Sequence, residues 1–184
     1  MNYFHYKTID STNEEAKRLS AQGVKEAIVV ADVQDSGKGT QNRKWVSEQG
    51  GLYVSFLKRP QVFAITDHAR YQLRIGEIIQ TIIHDLTGLD AKVKHPNDVL
   101  IDGKKCAGIL METAVRSGGA IPDYVIIGIG INLNQDQFPG LEDIATSLYQ
   151  KTGKKFLRKT VLQSLEKEIA KLFELSLEHL ICQK

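Results

Sequence analysis

Cysteine occurs only twice in 184 residues, at Cys106 and Cys182, and neither stands in a C-x-x-C pair or beside a histidine. That spacing excludes a disulfide scaffold and a thiolate zinc site, and it fits a reduced compartment. An excess of one charge is also lacking. The 24 Lys and Arg face 22 Asp and Glu, and a net charge of +2 is too small for wholesale binding to nucleic acid or to a membrane surface. Long apolar runs are missing as well: "MNYFHYKTIDSTNEEAK" has no signal-peptide core, and "DYVIIGIGINLN" is too short to cross a bilayer. A soluble, cytoplasmic protein is expected. The histidines, His5, His68, His84, His95 and His179, have no ligand spacing, so no metal site is expected.

Familiar motifs fail in the same way. In a Walker loop Gly37-Lys38 would be followed by Ser or Thr, and Gly39 stands there. "GIGINL" (128–133) has two glycines of a dinucleotide fingerprint but Leu133 in the third place. No serine or cysteine has the context of a nucleophile elbow or a papain-type site.

The patterns that are present describe one domain over residues 1–184. A strand at 3–9 leads to "DSTNEEAKRLSAQG", whose Ser11 or Thr12 reads as an N-cap, with Glu14 or Glu15 as capping-box partner and Gly23 as the stop. Strands are expected at 27–34 and 51–59, a long helix from Thr66 to Leu86 ended by Gly88, and a strand before the turn in "AKVKHPND". A hairpin turns at Asp102-Gly103, "YVIIGIGINLN" is a further central strand, and a last helix runs from Arg158 to about Leu180. Hairpins beside helices favour an α+β domain with a mixed β-sheet and flanking helices over an alternating βαβ fold.

Polar residues gather at the ends of these apolar strands. "VQDSGKGTQNRKW" (33–45) sets Lys38, Arg43 and Lys44 among glycines, a composition suited to an anion, since backbone N–H groups approach closely and the side chains add charge. Lys94, at the end of "AKVK", would project from a rigid strand into a cleft; a solvated strand-end lysine is the simpler alternative on charge alone.

Six motifs in order, "STN" (11–13), "QDSGKGTQNRKW" (34–45), "KHPND" (94–98), "GKKCAGILMET" (103–113), "GIGINLN" (128–134) and "ATSLYQKTG" (145–153), resemble the catalytic domain of the biotin–protein ligases over nearly the whole chain. The resemblance implies a core like that of class II aminoacyl-tRNA synthetases. It implies that biotin's carboxylate attacks the α-phosphate of ATP, with Mg²⁺, to give biotinyl-5′-AMP, and that a lysine of a biotin carboxyl carrier domain takes the biotinyl group. By resemblance Ser11, Thr12, Asn13 and Gln34 hold biotin, with Gly37, Lys38, Gly39, Thr40 and Gly108 along it. Lys94 and Arg43 are the expected catalytic cations, and Lys38, Arg43, Trp45, Asn97 and Asn132 the expected nucleotide contacts.

Thr40 and Asn42 stand where such ligases commonly carry Arg and Gly, and His95 where they carry Trp. The empty loop 36–44, with three cations and no counter-anion, is expected to order when ligand binds. No DNA-binding role is expected, because no helix-turn-helix precedes Met1, and a homodimer is allowed. The rivals are a lipoate or octanoate ligase or transferase of the same fold, for which Cys106 near Lys94 would matter, and a non-enzymatic biotin-binding regulator.

Overall fold

Apolar residues at consecutive positions of the central strands decide the architecture, because they give the sheet two faces to cover. The computed structural model describes residues 2–59, 67–115 and 122–181. The expected helix start at Thr66, and Cys182, lie outside them. Seven strands form one sheet in the order β1-β2-β3-β7-β6-β5-β4. They are β1 (Asn2–Ile9), β2 (Ala27–Gln34), β3 (Leu52–Lys58), β4 (Ala91–Lys94), β5 (Asp98–Ile101), β6 (Lys104–Ala114) and β7 (Tyr124–Ile131). β1 runs parallel to β2 and every other pairing is antiparallel, so the sheet is mixed, as expected.

One face carries the large core. Ile28, Val30, Val54, Phe56, Ile127 and Ile129 point there and meet α2 (His68–Thr87) and α4 (Arg158–Ile181). Ile75, Ile79 and Ile83 of α2 and Val161, Leu165 and Ile169 of α4 are almost fully buried, at helical spacing. Each such side chain contributes roughly 1.5–3 kcal/mol through burial. Tyr71 and Phe173 join the two helices, with ring centroids 5.4 Å apart. Gly88 ends α2 in the left-handed region (φ 73°), the conformation that favours glycine.

The alternate residues face the other way. Ala27, Val29, Leu57 and Ile126 form a smaller core with Ala16 and Leu19 of α1 (Thr12–Ala21). This helix covers only part of that face, over β2, β3 and β7, and the uncovered part becomes the site. Ser11 is the N-cap by position, but its side chain makes no cap hydrogen bond and the expected capping box is not formed. Both carboxylates are used elsewhere: Glu14 holds Lys17 and Lys38, and Glu15 holds Arg18 and accepts a hydrogen bond from the Tyr6 hydroxyl.

Candidate active site

Glycines at alternate positions leave the uncovered sheet face without side chains, and a cavity of about 570 Å³ lies over it. Gly108 of β6 and Gly130 of β7 pair across the strands and form its floor. A Cβ at Gly130 would come within 2.5 Å of the Trp45 ring, and one at Gly108 within 2.7 Å. Both glycines are therefore needed for the indole to lie on the sheet. Gly128 plays the same part for Asn13, whose amide oxygen fills the place of its missing side chain.

One end of the cavity is polar and enclosed. Ser11 and Thr12, at the start of α1, are 2% and 4% exposed. The Thr12 backbone N–H donates to Gln34 Oε1 (2.8 Å), and Gln34 Nε2 donates to Ser47 Oγ (2.8 Å), so the glutamine amide has a fixed orientation. An apolar wall comes from Phe138, Leu141, Ile144 and Ala145.

The other end is cationic. The loop after β2 closes on itself as a small hairpin, with Gly39 N–H donating to Arg43 O (2.7 Å) and Trp45 N–H to Gly37 O (2.8 Å). Lys38 has an internal counter-anion, since its Nζ lies 2.6 Å from Glu14. Lys17 and then Lys38 hold the Glu14 carboxyl below the usual glutamate range. Among the described residues the Arg43 guanidinium donates to Thr40 O and Gln41 Oε1, and Arg43, Lys44 and Lys94 are exposed without an ion pair. Lys105 is the inner cation. Its Nζ is 2.5 Å from Asp98 and 5.0 Å from the Trp45 ring centroid. Its backbone is held by Ile144 O, Thr146 N and the Asn132 amide.

This geometry agrees with what comparison with known proteins finds. The model of the biotin/lipoate A/B protein ligase family matches residues 5–132. The chain belongs to that family. It is 39% identical over 162 residues to the bifunctional ligase/repressor BirA of Bacillus spizizenii, covering 85% of this chain and 49% of that protein. It is 36% identical over 130 residues to the biotin--[acetyl-CoA-carboxylase] ligase of Paracoccus denitrificans, covering 67% of this chain and 51% of that one. The chain thus spans about half the length of the curated relatives it matches. Among solved structures, the biotin protein ligase of Aquifex aeolicus in complex with biotin and ATP superposes with a TM-score of 0.81 at 37% identity, over 94% of this chain and 70% of that one. The Leishmania major enzyme in complex with biotinyl-5-AMP gives 0.75 at 26%, over 96% and 75%. The mixed sheet with flanking helices is therefore the biotin protein ligase catalytic fold.

Of the residues expected from the sequence of this ligase-family chain, Ser11, Thr12, Asn13, Gln34, Lys38, Gly39, Thr40, Arg43, Trp45, Lys94, Asn97, Gly108 and Asn132 all line the one cavity. Gly37 does not. It sits behind the loop, where a Cβ would meet Ser47 Oγ and Trp45 O at 2.5 Å, so its smallness lets the loop cross. Asn97 and Asn132 use their amides on protein backbone: Asn97 Nδ2 donates to Ile109 O (3.2 Å), and Asn132 Nδ2 to Thr146 O (3.0 Å).

Lys105 and Asp98 were not singled out from the sequence, and a bulge explains why. Ala107, Ile109 and Met111 of β6 face the large core, so strict alternation would send Lys105 there too. Instead Val99 pairs with Ala107 and Leu100 with Lys105, which leaves Cys106 as an extra residue and turns Lys105 into the cavity. Cys106 goes to the core, fully buried, its thiol donating to Val99 O and its pKa pushed up to about 12 by burial. It has no access to the cavity, which removes it as a nucleophile.

Proposed function

We propose that this chain activates biotin with ATP to biotinyl-5′-AMP and passes the biotinyl group to a lysine of a biotin carboxyl carrier domain. The observation that carries the reading is one cavity with an enclosed hydrogen-bonding end suited to a neutral ring and a cationic end suited to a carboxylate and phosphates. The ring would lie against Ser11, Thr12 and Gln34, and the valeryl chain would cross the glycine floor. The carboxylate would reach the backbone of Lys38 to Thr40 and the ammonium of Lys105.

Two anions must meet there. Lys105 is the best placed cation to bring them together, because it is partly buried, tied at its backbone and turned inward, whereas Lys94 and Arg43 are exposed. A preorganised charge inside a cavity acts in a lower dielectric than one at the surface. In the first step a carboxylate oxygen of biotin bonds to the α-phosphorus while the bond to pyrophosphate breaks. In the second the carrier lysine's amine bonds to the acyl carbon and AMP leaves. Lys105 would oppose the charge that gathers on the α-phosphate, and Lys94, Arg43 and Lys38 would serve the outer phosphates.

Among the described residues no group of three His, Cys, Asp or Glu side chains could hold a metal. Asp98 alone fits a Mg²⁺ that arrives with the triphosphate, which is how this ion is usually held, by one or two carboxylates and substrate phosphates. Mg²⁺ would supply charge neutralisation of the phosphates.

No helix among the described residues is long and apolar enough to cross a membrane, and we read the chain as acting in the cytoplasm. The name of the Paracoccus relative supports a carboxylase as source of the carrier. Repression, which the name of the Bacillus relatives carries, is no part of the reading; a homodimer is compatible with it and is checked by light scattering with and without biotin. The thioester-forming transferase alternative is disfavoured by the core position of Cys106. The test is incubation with ATP, Mg²⁺ and either biotin or lipoate, followed by mass spectrometry. Pyrophosphate and biotinyl-adenylate with biotin alone are the expected result. Adenylate from lipoate instead would select the lipoate ligase reading, and no adenylate from either would select a binding regulator.

A further inference from the structure

Four buried or half-buried side chains at the enclosed end share too few protons to be arranged freely, and this fixes the hydrogen-bonding sense of one cavity residue. Ser55 of β3 is 0% exposed, and its Oγ lies 2.5 Å from Asn13 Oδ1 and 2.8 Å from Thr12 Oγ1. Thr12 Oγ1 also lies 3.1 Å from Gln34 Oε1. Two hydroxyl protons must therefore serve three oxygen–oxygen contacts.

The asparagine breaks the tie. Asn13 Nδ2 donates to Glu112 Oε2 (2.8 Å), and Glu112 Oε1 holds the Lys17 ammonium (2.8 Å). Flipping the amide would set its carbonyl against that carboxylate, so Asn13 Oδ1 stays toward Ser55. Among the described residues Ser55 is the one donor to that buried oxygen, which directs the Ser55 proton to Asn13. Ser55 Oγ then lacks a donor at its 2.8 Å contact unless Thr12 supplies it. Gln34 Oε1 has no such need, because the Thr12 backbone N–H already serves it at 2.8 Å.

We propose that the relay Glu112–Asn13–Ser55 holds the Thr12 hydroxyl proton away from the cavity, so that Thr12 offers the ligand lone pairs only and demands an N–H donor from it. Ser55, Asn13 and Glu112 are thus positioning residues for specificity. The proposal rests on the biotin reading: a cyclic urea carries ring N–H groups, whereas a dithiolane or a cyclic carbamate with oxygen in place of that N–H presents oxygen or sulfur to the same lone pairs.

The test is calorimetric binding of biotin and of its cyclic carbamate analogue to the wild type, to Ser55→Ala and to Glu112→Gln, with thermal melts to establish folding. The wild type is expected to prefer biotin by roughly ten- to hundredfold, the usual effect of one unpaired buried polar group. In Ser55→Ala the Thr12 hydroxyl no longer has to donate to Ser55; Gln34 Oε1, 3.1 Å away, is already served by the Thr12 backbone N–H, so the proton can turn to a ring oxygen of the ligand, and the preference is expected to fall at least severalfold. Glu112→Gln, which keeps the side-chain shape but allows the Asn13 amide to turn, is expected to lower it in the same direction. A purely structural role would weaken both ligands equally. An unchanged preference in whichever variants fold would overturn the relay while leaving the biotin reading intact. No biotin binding by the wild type would overturn both.

Discussion

The two ends of the cavity are built by opposite means. At the enclosed end Thr12 is tied to Gln34 and Ser55, Gln34 to Ser47 and Asn13 to Glu112, and these orientations are fixed before a ligand arrives. At the cationic end Lys94, Arg43 and Lys44 are exposed and, among the described residues, unpaired with acidic groups, whereas Lys105 and Lys38 have fixed partners, Asp98 and Glu14. A neutral ring has no charge to attract, so it is selected by geometry in a dry place. Phosphates are attracted at a distance, and their cations need less exact placement. The enclosed end should therefore govern which acid binds, and the cationic end how fast it reacts.

The largest expected effect that would break this division is at the inner cation. Lys105→Ala should slow adenylate formation by roughly 3–4 kcal/mol in activation free energy, the usual cost of one preorganised electrostatic donor, while leaving biotin affinity much less changed. Lys94→Ala, at an exposed position, should cost clearly less; steady-state pyrophosphate release compares the two. Equal losses would remove the distinction between inner and outer cations.

Next in size is Gln34→Leu. It leaves ring polar groups and Ser47 with a lost partner, at about 1–3 kcal/mol, and calorimetry should show weaker biotin binding. A normal dissociation constant would point to a different acid.

Thr40 offers a smaller test. It brings no guanidinium to the loop, so Thr40→Arg should retain biotinyl-adenylate longer, read as less biotin attached to lysines of a bystander protein. Identical labelling by the two would place retention elsewhere.

The smallest effect concerns the entry to α1. Hydrogen bonds from Arg18, followed by the Ser11 backbone N–H, hold the Asp10 carboxyl down at about 2, below the ordinary 3.8. A carboxyl depressed by folding stabilises the folded state above its ordinary pKa, and that contribution is lost as pH falls from about 4 to about 2. The pair is largely exposed, so its contribution is under about 1 kcal/mol. Melting temperatures of wild type and Asp10→Asn should differ slightly at neutral pH and converge at the acid limit.

Much of this was legible in the sequence for a physical reason: a period of 3.6 reports which side of a helix is buried, and α2 and α4 carry it, while the apolar, β-branched runs of β2 and β7 mark strands buried on both faces. The Asp102-Gly103 turn was legible because both residues need positive φ, and they have 49° and 78°. The cavity's polar lining was legible through the family motifs. The side-chain partners were not. Glu14 and Glu15 satisfy the spacing of a capping box, yet Lys17 and Arg18, three residues further along the same helix, and Lys38, brought close by the fold, compete for them. Lys105 could not be separated from Lys104 or Lys94, because a single-residue bulge decides which face a strand residue takes.

The central claim is that one cavity divides recognition from chemistry. It is tested most directly by ATP–pyrophosphate exchange at saturating biotin, set beside biotin affinity, in Lys105→Ala and Gln34→Leu. The account predicts a crossed pattern: exchange lost with near-normal binding in the first, and binding weakened with exchange largely restored at saturation in the second. Near-normal exchange by Lys105→Ala, or parallel losses in both variants, would contradict it.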